Sequence, residues 1–247
     1  MIQLSNVKKS FADKVILDDV SVTITKGETI ALIGMSGTGK TTFLNLLTGT
    51  VKQDSGQVNI DGKEVKLYHH RELAKKIGIM RQQFNLVEQL SVLNNVLAGR
   101  LGDWSFFKSA ISLFRPIEKP VAETVLERVG LLDKIYEKTF NLSGGEQQRV
   151  ALARLLMQAP EILLADEPIA SLDPSLSEEV MSIMTTLVKE EQMTLVSSLH
   201  SVDYAMKYFN RIIGLKDGKI YIDSAPDFIT KEQLDMLYRA EEKNGPI

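Results

Sequence analysis

The stretch G-M-S-G-T-G-K-T-T at residues 34–42 decides the fold. It follows the apolar run at residues 29–33, it fits the pattern glycine, four residues, glycine-lysine-serine/threonine, and T-F-L-N-L-L then continues at helical spacing. Glycines let several backbone N–H groups converge on one anion, and a helix N-terminus adds its positive dipole end. Lys40 is placed to reach the β- and γ-phosphates, and the Thr41 hydroxyl to bind Mg²⁺. The stretch therefore predicts a nucleoside triphosphate site rather than an ordinary glycine-rich turn.

Length and composition limit the class of protein. The 247 residues suffice for one large α/β domain with a subdomain, and 44% hydrophobic and 25% charged residues are ordinary for a globular protein. No apolar run approaches the ~18–20 residues that cross a bilayer, and M-I-Q-L-S-N-V-K-K-S lacks the layout of a secretion signal. The absence of cysteine excludes disulfides and fits a reducing cytoplasm. The net charge of −3 argues against wholesale nucleic-acid binding.

The first part of the chain predicts a small antiparallel sheet beside the nucleotide. Alternating residues predict strands, the third of which leads into the hairpin signal Asp61-Gly62. These strands cover residues 2–7, 20–24 and 57–60. Phe11 lies between the first two strands in the polar stretch K-K-S-F-A-D-K. A core aromatic on a loop and a platform for a nucleotide base are equally compatible with that position.

The middle of the chain predicts a helical subdomain, at about residues 83–159, inserted between core segments 1–82 and 160–247. Its best helix candidates are residues 91–98, 121–129 and 144–158. The segment from residue 101 to 116 is rich in aromatic side chains, namely Trp104, Phe106, Phe107 and Phe114. Such density favours local core, with a surface that meets another protein as the alternative.

Polar residues directly follow several predicted strands. Ligands of α/β proteins bind at these carboxyl ends of the strands. The strand at residues 161–165 delivers Asp166, which can hold Mg²⁺, and Glu167, which can polarise an attacking water. The strand at residues 193–199 ends in His200, for which a phosphate-side role is favoured over a structural one. Gln82 follows another apolar strand, and a solvated loop is its alternative interpretation.

A second helix start resembles an anion site. In L-S-G-G-E-Q-Q-R at residues 142–149, Ser143 and Glu146 fit a capping box. Gly144 and Gly145 remove side chains where free N–H groups lie, so that an anion can approach closely. This helix start has no lysine or Mg²⁺ ligand of its own. This helix start is therefore suited to completing an anion site whose other ligands lie elsewhere. That site could belong to a second subunit.

These motifs, in their order, resemble the nucleotide-binding subunit of an ATP-binding-cassette transporter over nearly the whole chain. The resemblance implies a P-loop NTPase (RecA-like) core with an N-terminal antiparallel β-subdomain and an inserted α-helical subdomain. It assigns adenine stacking to Phe11 and ATP phosphate binding to Gly34, Met35, Ser36, Gly37, Thr38, Gly39, Lys40, Thr41 and Thr42. It assigns Mg²⁺ to Thr41, Gln82 and Asp166. It assigns catalysis to Gln82, Glu167 as the base and His200 as the switch histidine.

The same resemblance implies a shared site in a homodimer. Ser143, Gly144 and Gly145 would contact the γ-phosphate bound by the other protomer. Asp173, in S-L-D at residues 171–173, would belong to the D-loop that joins the two sites. Further expected partners are transmembrane permease subunits and, indirectly, a solute-binding protein, but no nucleic acid. The expected place is the cytoplasmic face of the cell membrane, as a peripheral subunit.

Several stretches resemble the ATPases of phosphonate importers, namely Q-Q-F-N-L-V, S-V-L-N-N-V-L-A-G-R-L-G, E-R-V-G-L-L-D-K and S-L-H-S-V-D-Y-A. Arg81 departs from the aromatic or aliphatic residue that is commoner before the Q-loop glutamine, which bears on the identity of the permease. Two alternatives remain open. One is the ATPase of another transporter, for amino acids, phosphate or lipoproteins. The other is a soluble cassette ATPase such as a carbon–phosphorus lyase component.

Overall fold

The computed structural model describes residues 1–81, 85–105, 111, 116–170 and 172–239. In these residues the strands are β1 Ile2–Phe11, β2 Lys14–Ile24, β3 Thr29–Ile33, β4 Ser55–Ile60, β5 Lys63–Glu64, β6 Ile77–Met80, β7 Ile162–Asp166, β8 Thr194–Ser198, β9 Arg211–Lys216 and β10 Lys219–Ser224. The α-helices are α1 Lys40–Leu47, α2 His70–Lys76, α3 Val92–Leu97, α4 Lys119–Arg128, α5 Gly144–Gln158, α6 Pro174–Glu190, α7 Val202–Tyr208 and α8 Lys231–Tyr238. No helix within the described ranges is both long and apolar enough to cross a membrane.

The smaller sheet has four antiparallel strands in the order β2-β1-β4-β5. It confirms the predicted early sheet, and Ile60 pairs with Lys63 across the Asp61-Gly62 turn. The first two strands are longer than predicted, because β1 and β2 continue as a ribbon to the pair Phe11 and Lys14. The extension of β1 at residues 8–11 is largely polar and bulged, and the extension of β2 carries the consecutive apolar residues 15–17, so neither shows the apolar alternation from which a strand is predicted.

The larger sheet has the order β10-β9-β3-β8-β7-β6, and its strands are parallel except for the edge strand β10. Successive side chains of a strand point to opposite faces. Ile30 and Leu32 join the core shared with α1 and the smaller sheet, whereas Ala31 and Ile33 join the core shared with the helices. The sheet is therefore buried on both faces, as parallel sheets are in α/β proteins.

Helices α3, α4 and α5 lie in the chain between β6 and β7 and pack on one another. Trp104 lies in their core with 5% of its surface exposed, and its indole Nε1 donates to Glu118 Oε1 at 3.1 Å. The prediction that Trp104 belongs to local core is confirmed, whereas Phe106, Phe107 and Phe114 lie outside the described residues. The α/β fold with an antiparallel sheet and a helical insertion matches the predicted fold class. The exact subdomain boundaries stay a prediction.

Candidate active site

The loop between β3 and α1 requires glycine at two positions. Gly34 has φ +143°, and a Cβ there would overlap the carbonyl oxygen of Leu215. Gly39, the residue before α1, has φ +103°, and a Cβ there would lie 2.7 Å from Leu17 Cδ2. Both positions combine a backbone conformation that favours glycine with a close neighbour. The glycines are therefore required by this loop and not only by a bound ligand.

Lys40 is held at the centre of the loop. Its side chain is 5% exposed, and Nζ donates to the carbonyl oxygens of Gly34 at 2.8 Å and Met35 at 3.1 Å. Burial lowers the pKa of Lys40, while the negative charges of Glu167 and Asp166 oppose that shift. Among the described residues, only two neutral carbonyl oxygens hold this ammonium group by hydrogen bonds. It is therefore suited to bind an anion that enters the loop.

Thr41 and Asp166 bring two oxygen groups together from positions 125 residues apart in the chain. The Thr41 hydroxyl donates to Asp166 Oδ1 at 3.2 Å, and the Ser198 hydroxyl donates to the same oxygen at 2.6 Å. Hydroxyl and carboxylate oxygens suit Mg²⁺, which keeps several waters and binds through few protein ligands and substrate phosphates. In the described part of the chain, no group of three or more His, Cys, Asp or Glu side chains is arranged to hold a metal ion by itself. The residues present fit Mg²⁺ held together with a nucleotide.

Glu167 and His200 form a pair beside the metal residues. His200 Nε2 lies 2.6 Å from Glu167 Oε1, and both side chains are partly exposed to solvent. Glu167 has φ +52°, which is uncommon for a residue other than glycine. Its backbone N–H donates to Ser198 Oγ at 2.9 Å and faces the Ser198 carbonyl oxygen at 3.3 Å. The turn after β7 thus aims this carboxylate out of the sheet, where it can accept a proton.

The start of α5 is a fully formed capping box. The Ser143 N–H and hydroxyl donate to Glu146 Oε2 at 2.8 and 2.9 Å, and the Glu146 N–H donates to Ser143 Oγ at 3.4 Å. Lys134 forms an ion pair with Glu146. The hydrogen bonds from Lys134 and then Ser143 lower the pKa of Glu146 to about 2. The predicted helix start is confirmed, and its acid is permanently charged near neutral pH.

The two glycines of this helix start differ in their surroundings. A Cβ on Gly144 would meet Leu172 Cδ2 at 3.8 Å, which is an ordinary contact. A Cβ on Gly145 would overlap the side chain of Leu176 in α6. A side chain could therefore be accommodated at Gly144, whereas Gly145 is needed for packing between α5 and α6.

The remaining predicted residues fall in four groups. Phe11 is 49% exposed at the end of β1, with Lys9 Nζ 5.1 Å from its ring centroid, so the core alternative is wrong. Asp173 is the N-cap of α6 and accepts from the Leu176 N–H at 3.0 Å. Gln82 and Ser171 lie outside the described residues. Met35, Ser36, Gly37, Thr38 and Thr42 lie in the phosphate loop and the first turn of α1.

Ser198 is a site residue that the sequence reasoning missed. It ends β8 directly between the loop strand and the acid strand, and it touches both Asp166 and Glu167. The available signal was a hydroxyl pair, Ser197 and Ser198, in an otherwise apolar strand. A serine carries no motif of its own, so this signal is weak without the strand order.

Comparison with known proteins gives a consistent result. The family model described as ABC transporter matches residues 17–170. A phosphonates import ATP-binding protein of Pseudomonas syringae pv. syringae is 43% identical, covering 97% of this chain and 90% of that protein. A phosphonates import ATP-binding protein of Lactobacillus johnsonii is also 43% identical, covering 96% of this chain and 95% of that protein.

A solved structure adds the assembly and the ligand state of a relative. It is the dimeric, post-hydrolysis state of the ATP-binding cassette MJ0796, bound to ADP and Pi. Its TM-score is 0.74 at 34% sequence identity, and the match covers 92% of this chain and 99% of that chain.

Proposed function

The chain belongs to the ABC transporter family, and from that premise we propose that it is the ATP-hydrolysing subunit of a membrane importer for phosphonates or related phosphorus oxyanions. One observation carries the activity: the loop residues Lys40 and Thr41 meet the acid pair Asp166-Glu167, which is far from them in sequence, at one edge of the larger sheet. The names of the relatives from Pseudomonas syringae and Lactobacillus johnsonii support the cargo.

ATP is the proposed nucleotide, and the phosphate loop is its main anchor. The Lys40 ammonium would exchange its two carbonyl partners for phosphate oxygens. Phe11, exposed at the end of β1, offers a face for the adenine ring. Mg²⁺, when bound, neutralises charge on the β- and γ-phosphates. Its proposed protein ligands are Thr41, Asp166 and Gln82.

Hydrolysis is assigned to Glu167 with His200. The Glu167 carboxylate would accept a proton from the attacking water, and His200 Nε2, 2.6 Å from that carboxylate, would orient it and reach the γ-phosphate. Gln82 is proposed to position the same water. Because Glu167 is fixed at its backbone by Ser198, its side chain needs little reorganisation to act.

Two copies are proposed to complete each site. Ser143, Gly144 and Gly145 begin a 15-residue helix whose N-terminal dipole would face the γ-phosphate of the partner copy. Asp173, which caps α6 beside Glu167, would carry contact between the two sites. The dimeric cassette bound to ADP and Pi supports this arrangement. Permease subunits, a solute-binding protein and a peripheral position on the cytoplasmic membrane face complete the proposal.

Glu167→Gln tests the hydrolytic assignment. We expect ATP turnover to be abolished while ATP binding remains, so that an ATP-bound dimer accumulates and elutes earlier in size-exclusion chromatography. Glu127→Gln, an exposed position on α4, is the matched control and should keep wild-type turnover. A Glu167→Gln protein that stayed monomeric with ATP would exclude the shared site, and one that kept turnover would exclude Glu167 as the base.

The cargo needs a separate test with the membrane subunits. The chain is co-purified with its permease, reconstituted into vesicles with the cognate solute-binding protein, and assayed for ATPase activity. Stimulation by a phosphonate, and not by an amino acid, is the expected result. Stimulation by an amino acid alone, or purification with lyase subunits in place of a permease, would overturn the proposed cargo.

A further inference from the structure

We propose that Ser198 is a positioning residue for ATP hydrolysis, whose one hydroxyl group holds both the metal-side carboxylate and the backbone of the catalytic base. This inference rests on the proposed function, because it takes Asp166 as the Mg²⁺ residue and Glu167 as the base. Ser198 begins the stretch S-L-H-S-V-D-Y-A, but none of the roles assigned from the sequence motifs falls on it.

The geometry places Ser198 between the two acids. It is the last residue of β8, it pairs with Asp166 in the register of β7 and β8, and its side chain is fully buried. Its Oγ donates to Asp166 Oδ1 at 2.6 Å and accepts the Glu167 N–H at 2.9 Å. A hydroxyl group has one donor and two acceptor positions, so it can make both contacts at once.

Ser198 is suited to hold Asp166 when a metal is present. Asp166 Oδ1 also accepts from the Thr41 hydroxyl, but at 3.2 Å, which is the longer of the two bonds. Thr41 is itself a proposed Mg²⁺ holder, so the position of its hydroxyl group would then be set by the cation, whereas the Ser198 hydroxyl has no such second role. The short bond from Ser198 to a charged oxygen then keeps that carboxylate oriented.

The second contact fixes the base. Glu167 has a left-handed backbone, which persists in a protein only where surrounding contacts over-determine it. Its N–H is directed at the side-chain and backbone oxygens of Ser198, at 2.9 and 3.3 Å. One buried residue thus contacts both the carboxylate of Asp166 and the backbone of Glu167. Removing its hydroxyl should disturb metal-dependent steps and leave the phosphate loop intact.

Ser198→Ala is compared with Ser197→Ala, the adjacent serine of the same strand. Ser197 is equally buried, and its hydroxyl reaches the Ser198 carbonyl oxygen only at 3.5 Å. Isothermal titration calorimetry with ADP is run in EDTA and in Mg²⁺. Both variants should bind ADP in EDTA like wild type. In Mg²⁺, Ser198→Ala should lose about tenfold in ADP affinity, as expected for one hydrogen bond to a charged group, while Ser197→Ala stays within about twofold.

The ATPase assay gives a second readout. The Mg²⁺ concentration for half-maximal turnover should rise about tenfold in Ser198→Ala and remain unchanged in Ser197→Ala. Ser198→Thr keeps the hydroxyl and should keep the wild-type Mg²⁺ requirement even where the added methyl group lowers Tm. This variant separates loss of stability from loss of the hydroxyl.

The outcomes distinguish the two levels of the proposal. A wild-type protein with Mg²⁺-dependent turnover, together with a Ser198→Ala variant that matches Ser197→Ala, would overturn the role of Ser198 alone. A wild-type protein without Mg²⁺-dependent turnover would overturn the proposed function and the role of Ser198 with it.

Discussion

The two glycines that begin α5 are predicted to respond in opposite directions to alanine. At Gly144 the added Cβ meets Leu172 at an ordinary 3.8 Å, so the substitution gains helix propensity of up to about 1 kcal/mol. At Gly145 the added Cβ overlaps Leu176, which must shift within the contact between α5 and α6. Such overpacking costs about 1–3 kcal/mol, so after the propensity gain we expect a net loss of about 1–2 kcal/mol in the free energy of unfolding.

Urea unfolding of the nucleotide-free protein measures this difference, with the fluorescence of the single tryptophan, Trp104, as the signal. In thermal unfolding, Gly145→Ala should lower Tm by roughly 2–8 °C, and Gly144→Ala should leave Tm unchanged or raise it. In the Glu167→Gln background, Gly144→Ala should nevertheless weaken the ATP-driven dimer, because its methyl group occupies the approach of the anion. Equal stabilities of the two alanine variants would refute the packing role of Gly145.

Two further predictions concern stability. The pKa of Glu146 lies at about 2 in the folded protein, below its ordinary 4.5, so its stabilising contribution is full above pH 4.5 and is lost as pH falls toward 2. Glu146→Gln keeps the capping oxygen but not the charge. Urea unfolding should show a loss of roughly 1–3 kcal/mol in the free energy of unfolding at pH 7, and a weaker fall of that free energy below pH 4.5. An unchanged dependence on pH below 4.5 would contradict the lowered pKa of Glu146. Trp104→Ala removes a buried ring and its bond to Glu118, so thermal unfolding should show a loss of about 3–5 kcal/mol, and a loss below about 1 kcal/mol would contradict its core position.

Local signatures made much of the fold predictable. The strand, glycine loop and helix around Lys40 can be recognised from residues that are adjacent in sequence. The observed β3 and α1 agree with the predicted segments. The capping box at Ser143 is local as well, and α5 has the predicted bounds. The meeting of Asp166 with Thr41 followed from a general rule, because parallel strands gather their carboxyl ends at one sheet edge.

What escaped prediction depends on contacts between distant segments. Gly145 fits an anion site in sequence, but its packing against Leu176 exists only once α5 and α6 are side by side. The role of Ser198 requires knowing that β8 lies between β3 and β7. In the ribbon that ends at Phe11, residues 8–11 of β1 are largely polar and residues 15–17 of β2 are consecutively apolar, so neither segment shows the alternation from which a strand is predicted.

The strand order also has a consequence for biosynthesis. The strand that separates β3 from β7 is β8, and Ser198 at its end is made only after about four fifths of the chain has been translated. At about 5–20 residues per second, the ribosome takes roughly 8–30 s to proceed from Lys40 to Ser198. Until β8 is made, β3 and β7 lack the strand that joins them in the sheet. A nucleotide site that uses Lys40, Asp166 and Ser198 together can therefore form only late in synthesis.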